Sequence, residues 1–292
     1  MQSKKPMAAE RAITLKQGLI RVCLAAFGLV AALTGPVSAD INVTQLANQG
    51  VMITDGETRI LIDALVVEPY SVYGGLPEDV RPMFDNLTGP FSAIDLVLIS
   101  HRHHEHNQPA YACQFMQKSG QSRLKTSEQV IGLMRERCRD LVTTDPRVEV
   151  IDPLHASPVV FEVKGAKVTV FPLSHGTQSY ARIENFGHLI EMGGVRILHI
   201  GDAAMSAEDF ALAGLDSVDI DVALVPFWFF QPGPGGEVVN RFLGASRKIA
   251  VHIPPSEMDE VKAYMSESFP EVLILTKTLD KASFAPIPKT NP

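Results

Sequence analysis

The stretch Ile94-Asp95-Leu96-Val97-Leu98-Ile99-Ser100-His101-Arg102-His103-His104-Glu105-His106 decides the fold. Seven residues, apolar apart from Asp95 and Ser100, lead straight into four histidines and a glutamate within six positions. The run is short, rich in apolar and β-branched residues and ends abruptly in polar groups, which predicts a buried β-strand. Imidazoles crowded at a strand end repel one another when protonated. The cluster therefore reads as neutral rings held by a metal, with a histidine-rich polar loop as the alternative. Side chains alternate along extended backbone, so positions 101, 103 and 105 share one side. His106 follows at the turn into a helix expected over Pro109–Lys118, with Pro at its first turn and Gly120 beyond its end.

The chain on either side reads as strands alternating with turns and helices. Upstream, Ile41–Leu46, Val51–Thr54 and Thr58–Asp63 are β-rich, and Asp55-Gly56 marks a hairpin. A long connection, 64–93, carries Tyr70, Tyr73 and Phe84 and reads as a lid or as a loop pinned to its own core. Downstream, Ser127 caps a second helix with apolar positions at Ile131, Met134, Cys138 and Leu141. Strands are expected over Val148–Ile151, Val159–Phe161, Val168–Leu173, Ala181–Met192, Val195–Ile200, Ile220–Pro226, Lys248–His252 and Val272–Thr276. Helices are expected over Ala207–Ala213, Val238–Leu243 and Glu257–Ser268. Five of the strands end in ionisable groups: Asp63, the 101–106 cluster, His175, Asp202 and His252. Strand ends on one sheet edge are where side chains distant in sequence converge.

Together these motifs resemble the metallo-β-lactamase fold superfamily. His101-Arg102-His103-His104-Glu105-His106 matches its His-x-His-x-Asp-His motif, and Leu173-Ser174-His175-Gly176 its later single histidine. Gly201-Asp202 matches its bridging aspartate, Ala250-Val251-His252-Ile253-Pro254 its last histidine, and Arg59–Asp63 its early strand ending in aspartate. The resemblance spans residues 40–277 in order. It implies an α/β (α+β) fold, a four-layer αβ/βα sandwich, with His101, His103 and His175 on one metal. Glu105, His106 and His252 would hold a second metal, Asp202 would bridge, and Asp63 would orient a ligand histidine. Zinc is the implied metal at two sites, with iron or manganese as alternatives. Asp202 and Glu105 are the implied catalytic carboxylates, acting with a metal-bound hydroxide on a lactone, ester, amide or phosphodiester. The layout resembles most closely the branch holding ascorbate-phosphate lactonases and ribonuclease-Z-like proteins.

Glu105 departs from the family pattern: it keeps the charge of aspartate but sets the carboxylate farther out by about one bond length. The competing readings are a metal- or ligand-binding protein without turnover, its second site degenerate, and an iron-dependent redox enzyme. His104 occupies the motif's free position. His155 and His188 read as ordinary surface or strand histidines, and His199 as a satisfied core histidine. Phe227-Trp228-Phe229-Phe230 reads equally as pocket lining and as core.

Residues 1–39 have the layout of a signal peptide: basic residues to Arg21, an uncharged apolar run Val22–Thr34, and Val37-Ser38-Ala39 before the cut. That run is shorter than the roughly 20 residues that span a bilayer. The expected product is an exported protein, periplasmic or secreted, with a domain over 40–283, a mobile tail over 284–292 and no stable membrane insertion. Without residues 1–39 the chain carries 21 basic and 32 acidic residues, a net charge of about −11. That balance disfavours nucleic acid as partner and favours a small-molecule substrate. Cys113 and Cys138, both on apolar helix faces, form either a disulfide or two buried thiols. Oligomeric state is not legible.

Overall fold

Alternation of inward and outward side chains along the central strands builds the layers. The computed structural model describes residues 40–154, 157–244 and 247–286. The first half supplies β1 (Ile41–Gln45), β2 (Val51–Thr54), β3 (Arg59–Ile62), α1 (Arg81–Asp85), β4 (Leu96–Leu98), α2 (Pro109–Lys118), β5 (Arg123–Thr126), α3 (Glu128–Thr144) and β6 (Val148–Val150). The second half opens with β7 (Val159–Val163), β8 (Ala166–Ser174), β9 (Glu184–Met192), β10 (Val195–His199), α4 (Ala207–Leu212) and β11 (Val222–Pro226). It continues with α5 (Gly235–Arg241), β12 (Arg247–Val251), α6 (Met258–Ser268), β13 (Val272–Ile274) and β14 (Lys281–Phe284). Two seven-stranded sheets result, β14-β1-β2-β3-β4-β5-β6 and β13-β12-β11-β10-β9-β8-β7.

Three apolar cores separate four layers. Ile60, Ile62, Leu96 and Leu98 of the first sheet meet Ile197, Val222, Leu224, Ile249 and Val251 of the second between the sheets. The intervening residues face outward. Leu61, Val97 and Leu124 pack against α2 and α3, while Leu198, Ala223, Val225 and Ala250 pack with residues of α4, α5 and α6. This is the expected αβ/βα sandwich, and period two in the strands produces it.

Strand direction then collects the functional ends. β3 and β4 are parallel, as are β10, β11 and β12. β8 runs antiparallel to β9, which runs antiparallel to β10, so β8 and β10 point the same way. The C-terminal ends of β3 and β4 thus share one edge, and those of β8, β10 and β12 share another.

Several boundaries differ from the sequence expectation. β4 is only Leu96–Leu98, because side chains replace ladder partners at both ends: Asp95 Oδ2 accepts the Arg59 N–H at 3.0 Å and Asp63 Oδ1 the Ser100 N–H at 2.7 Å. The long connection contains α1, and Phe84 is buried against Phe91 and Phe115, so that aromatic pins the loop to the core. β5 was not expected; its buried Lys125 pairs with Glu149 and lies 4.7 Å from the Phe161 ring centre. Phe284, expected to open a mobile tail, is instead the buried last residue of β14, which pairs with β1. Residues 287–292, the signal segment and His155 lie outside the described residues. Among the described residues no helix is long and apolar enough to cross a membrane.

Cys113 on α2 and Cys138 on α3 form a disulfide, with Cα atoms 6.0 Å apart. The bond closes a loop across 25 positions. Restricting the unfolded chain this way is expected to stabilise the protein by about 3 kcal/mol. Denaturant unfolding of the Cys138→Ala variant, or of reduced protein, should show a loss of that order; unchanged stability would refute it.

Candidate metal centre

Both sheet edges meet at a cluster of buried nitrogen and oxygen atoms. His101, His103, His175 and Asp202 form one group, and Glu105, His106, Asp202 and His252 a second, with ligand atoms in each within 4.8 Å of one another. Asp202 is common to both, and its two oxygens divide the work. Oδ2 lies 3.9 Å from His101 Nε2 and 3.8 Å from His175 Nε2. Oδ1 lies 3.4 Å from both His106 Nε2 and His252 Nε2. Two ligands at metal-bond lengths on one tetrahedral ion stand about 3.3–3.5 Å apart, so the second set is close to that spacing and the first slightly wider.

A hydrogen-bond chain from Asp63 fixes which nitrogen faces the centre. Asp63 sits at the end of β3 with φ +50° and no exposed surface. Its Oδ2 accepts from the Ser100 hydroxyl at 2.5 Å and from His106 Nδ1 at 2.8 Å. The serine has one proton, given to Asp63, so its oxygen accepts the Nδ1–H of His101 at 3.0 Å. Both histidines therefore turn Nε2 inward. His101 Nε2, both nitrogens of His175 and Asp202 Oδ1 are buried without a partner among the described residues. Orphaned buried polar atoms on converging side chains fit a metal-binding site.

Backbone geometry delivers the remaining groups. Gly201 has φ +55°, and a Cβ there would stand 2.2 Å from Asn185 Oδ1, so only glycine fits. Asn185 Oδ1 accepts the Asp202 N–H at 3.0 Å while its Nδ2 donates to Ile200 O at 3.1 Å. An isolated bridge, His175 to Ala203, ties the end of β8 to the turn after β10. His252 adopts φ +64° and packs between Tyr73 and Trp228, ring centres 4.4 and 4.8 Å away.

Electrostatics prepares the set for a cation. Burial lowers His101 far below the ordinary histidine value, lowers His103, and brings His175 to about 4, which favours neutral rings. Burial opposes ionisation of Asp202, but His252 and His106 outweigh it and hold the carboxyl well below its usual range. For His106 burial is likewise outweighed, by Asp202 and then Asp63, and its value rises to about 10. The proton on its Nε2 must leave when a metal takes that position.

All seven residues read from the motifs come together, with Asp63 behind them. Tyr73 faces the centre, and burial, then Asp202 and Glu105, push its hydroxyl up to about 12, so it stays a donor. Of the aromatic run, Trp228 turns to His252, while Phe227, Phe229 and Phe230 enter the core beneath α5 and α6. His199 is a satisfied core histidine: Nδ1 accepts the Gly201 N–H and Nε2 donates to Gln49 O. His188 is a fully buried strand residue. Sequence reading missed Asn48, whose Nδ2 donates to the Glu105 carbonyl at 3.1 Å, Asn185, and Tyr180, whose ring lies 5.5 Å from His103. Asn48 and Asn185 sit in a turn and a strand start without any motif, so no local signal marks them.

Comparison with known proteins agrees with this geometry. The profile of the beta-lactamase superfamily domain matches residues 42–228. The chain belongs to that superfamily. A UPF0173 metal-dependent hydrolase of Thermus thermophilus is 26% identical over 228 residues, 75% of this chain and 88% of the relative. The metallo-beta-lactamase fold protein YhfI of Bacillus subtilis superposes with a TM-score of 0.57 at 14% identity, covering 84% of this chain and 99% of its own. CmlA, a diiron β-hydroxylase of Streptomyces venezuelae, superposes with a TM-score of 0.52 at 16% identity over 84% of this chain and 54% of its own. The superfamily member described here is thus a metallo-β-lactamase sandwich with a metal-binding His/Asp cluster on its edge.

Asp63→Asn would leave His106 without its charged partner, and metal affinity is expected to fall about 10- to 100-fold, read by chelator competition, with the far-UV spectrum unchanged. A separate expectation concerns His188, lowered to about 3 by burial and by His199. Its folded value lies below its unfolded one, so it costs nothing above the ordinary histidine range and destabilises as pH falls through that range toward 3. Replacing it by leucine should remove about 1 kcal/mol per pH unit from the acid-side slope of unfolding stability. An unchanged slope would refute that assignment.

Proposed function

We propose that this chain is an exported binuclear metallohydrolase that cleaves a lactone, ester, amide or phosphodiester bond in a small molecule. The observation that carries the reading is the Asp202 carboxylate, one oxygen toward His101 and His175, the other toward His106 and His252. His101, His103 and His175 would hold one metal, Glu105, His106 and His252 the other, with Asp202 shared. Nitrogen and carboxylate donors suit zinc, with iron and manganese as alternatives. Bound there, such ions supply an acidified water and polarise the carbonyl or phosphoryl oxygen under attack.

The chain's own groups do the rest. Asp63 and Ser100 hold His106 and His101 in the tautomers that turn Nε2 inward. Asp202 Oδ1, buried without a hydrogen-bond partner among the described residues, would accept from the attacking water. Glu105 is only half-buried, so it is the acidic member of the set that would contact substrate or pass a proton outward. Tyr73 and Trp228 pack on His252 and Tyr180 on His175, and these rings would exclude water and select the substrate. Export rests on the layout of residues 1–39 and agrees with a disulfide and a strongly acidic remainder.

Metal analysis of the purified mature chain with a turnover screen over lactones, esters, phosphodiesters and β-lactams tests the proposal. About two metals per chain with hydrolysis is expected. No bound metal, or full stability in chelator, would overturn it; metal without turnover would make it a binding protein, and iron without hydrolysis a redox enzyme. His103→Ala should cost at least about 100-fold in activity while the fold persists. Glu105→Asp should hold or raise the affinity of the second metal; an identical metal titration would remove Glu105 from the ligand set.

A further inference from the structure

The tight turn between β1 and β2 supplies none of the seven ligand residues, yet it touches four of the segments that build the metal centre. We propose, on the binuclear reading of the site, that Asn48 in this turn is a positioning residue for the second metal. It holds the Glu105 peptide and the His252 ring together and so governs how tightly that position binds.

The partners of the amide fix its orientation. Asn48 Nδ2 lies 3.1 Å from the Glu105 carbonyl oxygen and 3.4 Å from His252 Nε2. A carbonyl oxygen only accepts, so Nδ2 and not Oδ1 faces Glu105, and its two hydrogens are divided between two members of one ligand group. An amide nitrogen only donates, so His252 Nε2 accepts and the ring proton stays on Nδ1. His106 Nε2, 3.0 Å away, donates to the same nitrogen. That tautomer is the one in which Nε2 can be given to a metal. Asp63 and Ser100 set the rings of His106 and His101 from behind, through Nδ1, whereas His252 Nδ1 has no partner among the described residues. Asn48 sets His252 from the other side. When Nε2 is given to a metal, the N–H on His252 is released and the one on the Glu105 carbonyl remains.

The turn itself is a firm mount. Asn48 has φ +48°, which asparagine adopts more readily than most residues with a side chain. Gln45 Nε2 donates to the Asn48 carbonyl at 2.6 Å, the Leu46 N–H to Gly50 O at 2.8 Å and the Gly50 N–H to Ala47 O at 2.6 Å. A Cβ on Gly50 would stand 2.5 Å from the Asp63 carbonyl oxygen, so the turn lies directly on the end of β3. Gln49, without exposed surface, donates through Nε2 to Gly201 O at 3.0 Å, next to Asp202. The frame that touches the segments of Asp63 and Asp202 thus also carries Asn48 to Glu105 and His252. Among the described residues the turn makes no hydrogen bond to His101, His103 or His175, so its influence falls on the second metal. Glu105 needs such support because its longer side chain has more torsional freedom to lose on binding than an aspartate.

Stepwise zinc titration of the purified mature chain against a competing chelator tests the proposal. The step that His252→Ala removes marks the second metal. Asn48→Gly keeps the left-handed backbone and deletes only the amide. It should weaken that step about 10- to 100-fold while leaving the other unchanged, and the unchanged step also reports an intact fold. Asn48→Ser, whose hydroxyl falls short of both partners by about one bond length, should act in the same direction. Titrations identical to wild type in both variants, or equal weakening of both steps, would overturn the proposal and leave the binuclear reading standing. A wild-type chain that takes up a single zinc would overturn the binuclear reading and this assignment with it.

Discussion

A carboxylate sealed from solvent, Asp63, holds the functional edge together. Burying a charge of that kind costs several kcal/mol unless donors surround it. It has three: the Ser100 N–H, the Ser100 hydroxyl and His106 Nδ1. Burial opposes its ionisation, yet His106 and its other neighbours keep its value below the ordinary one. The same contacts join the end of β3 to the end of β4 and orient two histidines. Replacing the ladder at this point with a side chain ends β4 at Leu98, which frees Ser100–His106 to turn across the sheet edge. Strand termination and ligand orientation are therefore one interaction.

Much of this was legible because it is written locally. A short apolar strand run that leads into histidine needs only adjacent residues to be recognised, and β4, β8 and β12 each carry that signature. Asp63 could be read as an orienting group because Arg59–Asp63 resembles the superfamily's early strand ending in aspartate. The hairpin at Asp55-Gly56 is equally local: Asp55 Oδ1 accepts from the Glu57 and Thr58 N–H groups, a turn that depends on nothing distant. The opposite reading of the cluster, a polar loop, fails on convergence. His101, His106, His175 and His252 are buried together, and three of them, all but His106, carry a nitrogen without a partner among the described residues, which a solvated loop would not show.

What was not legible depends on distant partners. Arg123-Leu124-Lys125-Thr126 has one apolar side chain and carries no strand signal, but as β5 it closes a parallel ladder between β4 and β6. Its buried lysine is tolerated only because Glu149 and the Phe161 ring come from elsewhere in the chain. β14 pairs with β1 across nearly the whole domain, so neither strand announces the other. Asn48 and Asn185 act through a carbonyl and an N–H that no spacing rule brings near them. Tyr70 and Tyr73 were visible as aromatic residues in a long loop, while their assignment to opposite ends of the site follows from a two-residue turn with Ser71 at φ +56°.

Glu105 is where local and distant constraints meet. The longer side chain moves its carboxylate outward by about one bond length relative to aspartate, unless the backbone withdraws. The backbone is held: Asn48 donates to the Glu105 carbonyl, and the His106 and Asn107 N–H groups both return to His103 O, a tight turn that fixes the positions between. The side chain has to absorb the extra length. It does so at a half-buried position, while still offering an oxygen within reach of His106, Asp202 and His252. A ligand at the mouth of a site meets both metal and substrate, whereas a ligand in its floor meets only metal. Glu105 therefore forms the accessible edge of the second group of possible ligands, while His106, Asp202 and His252 form its buried floor.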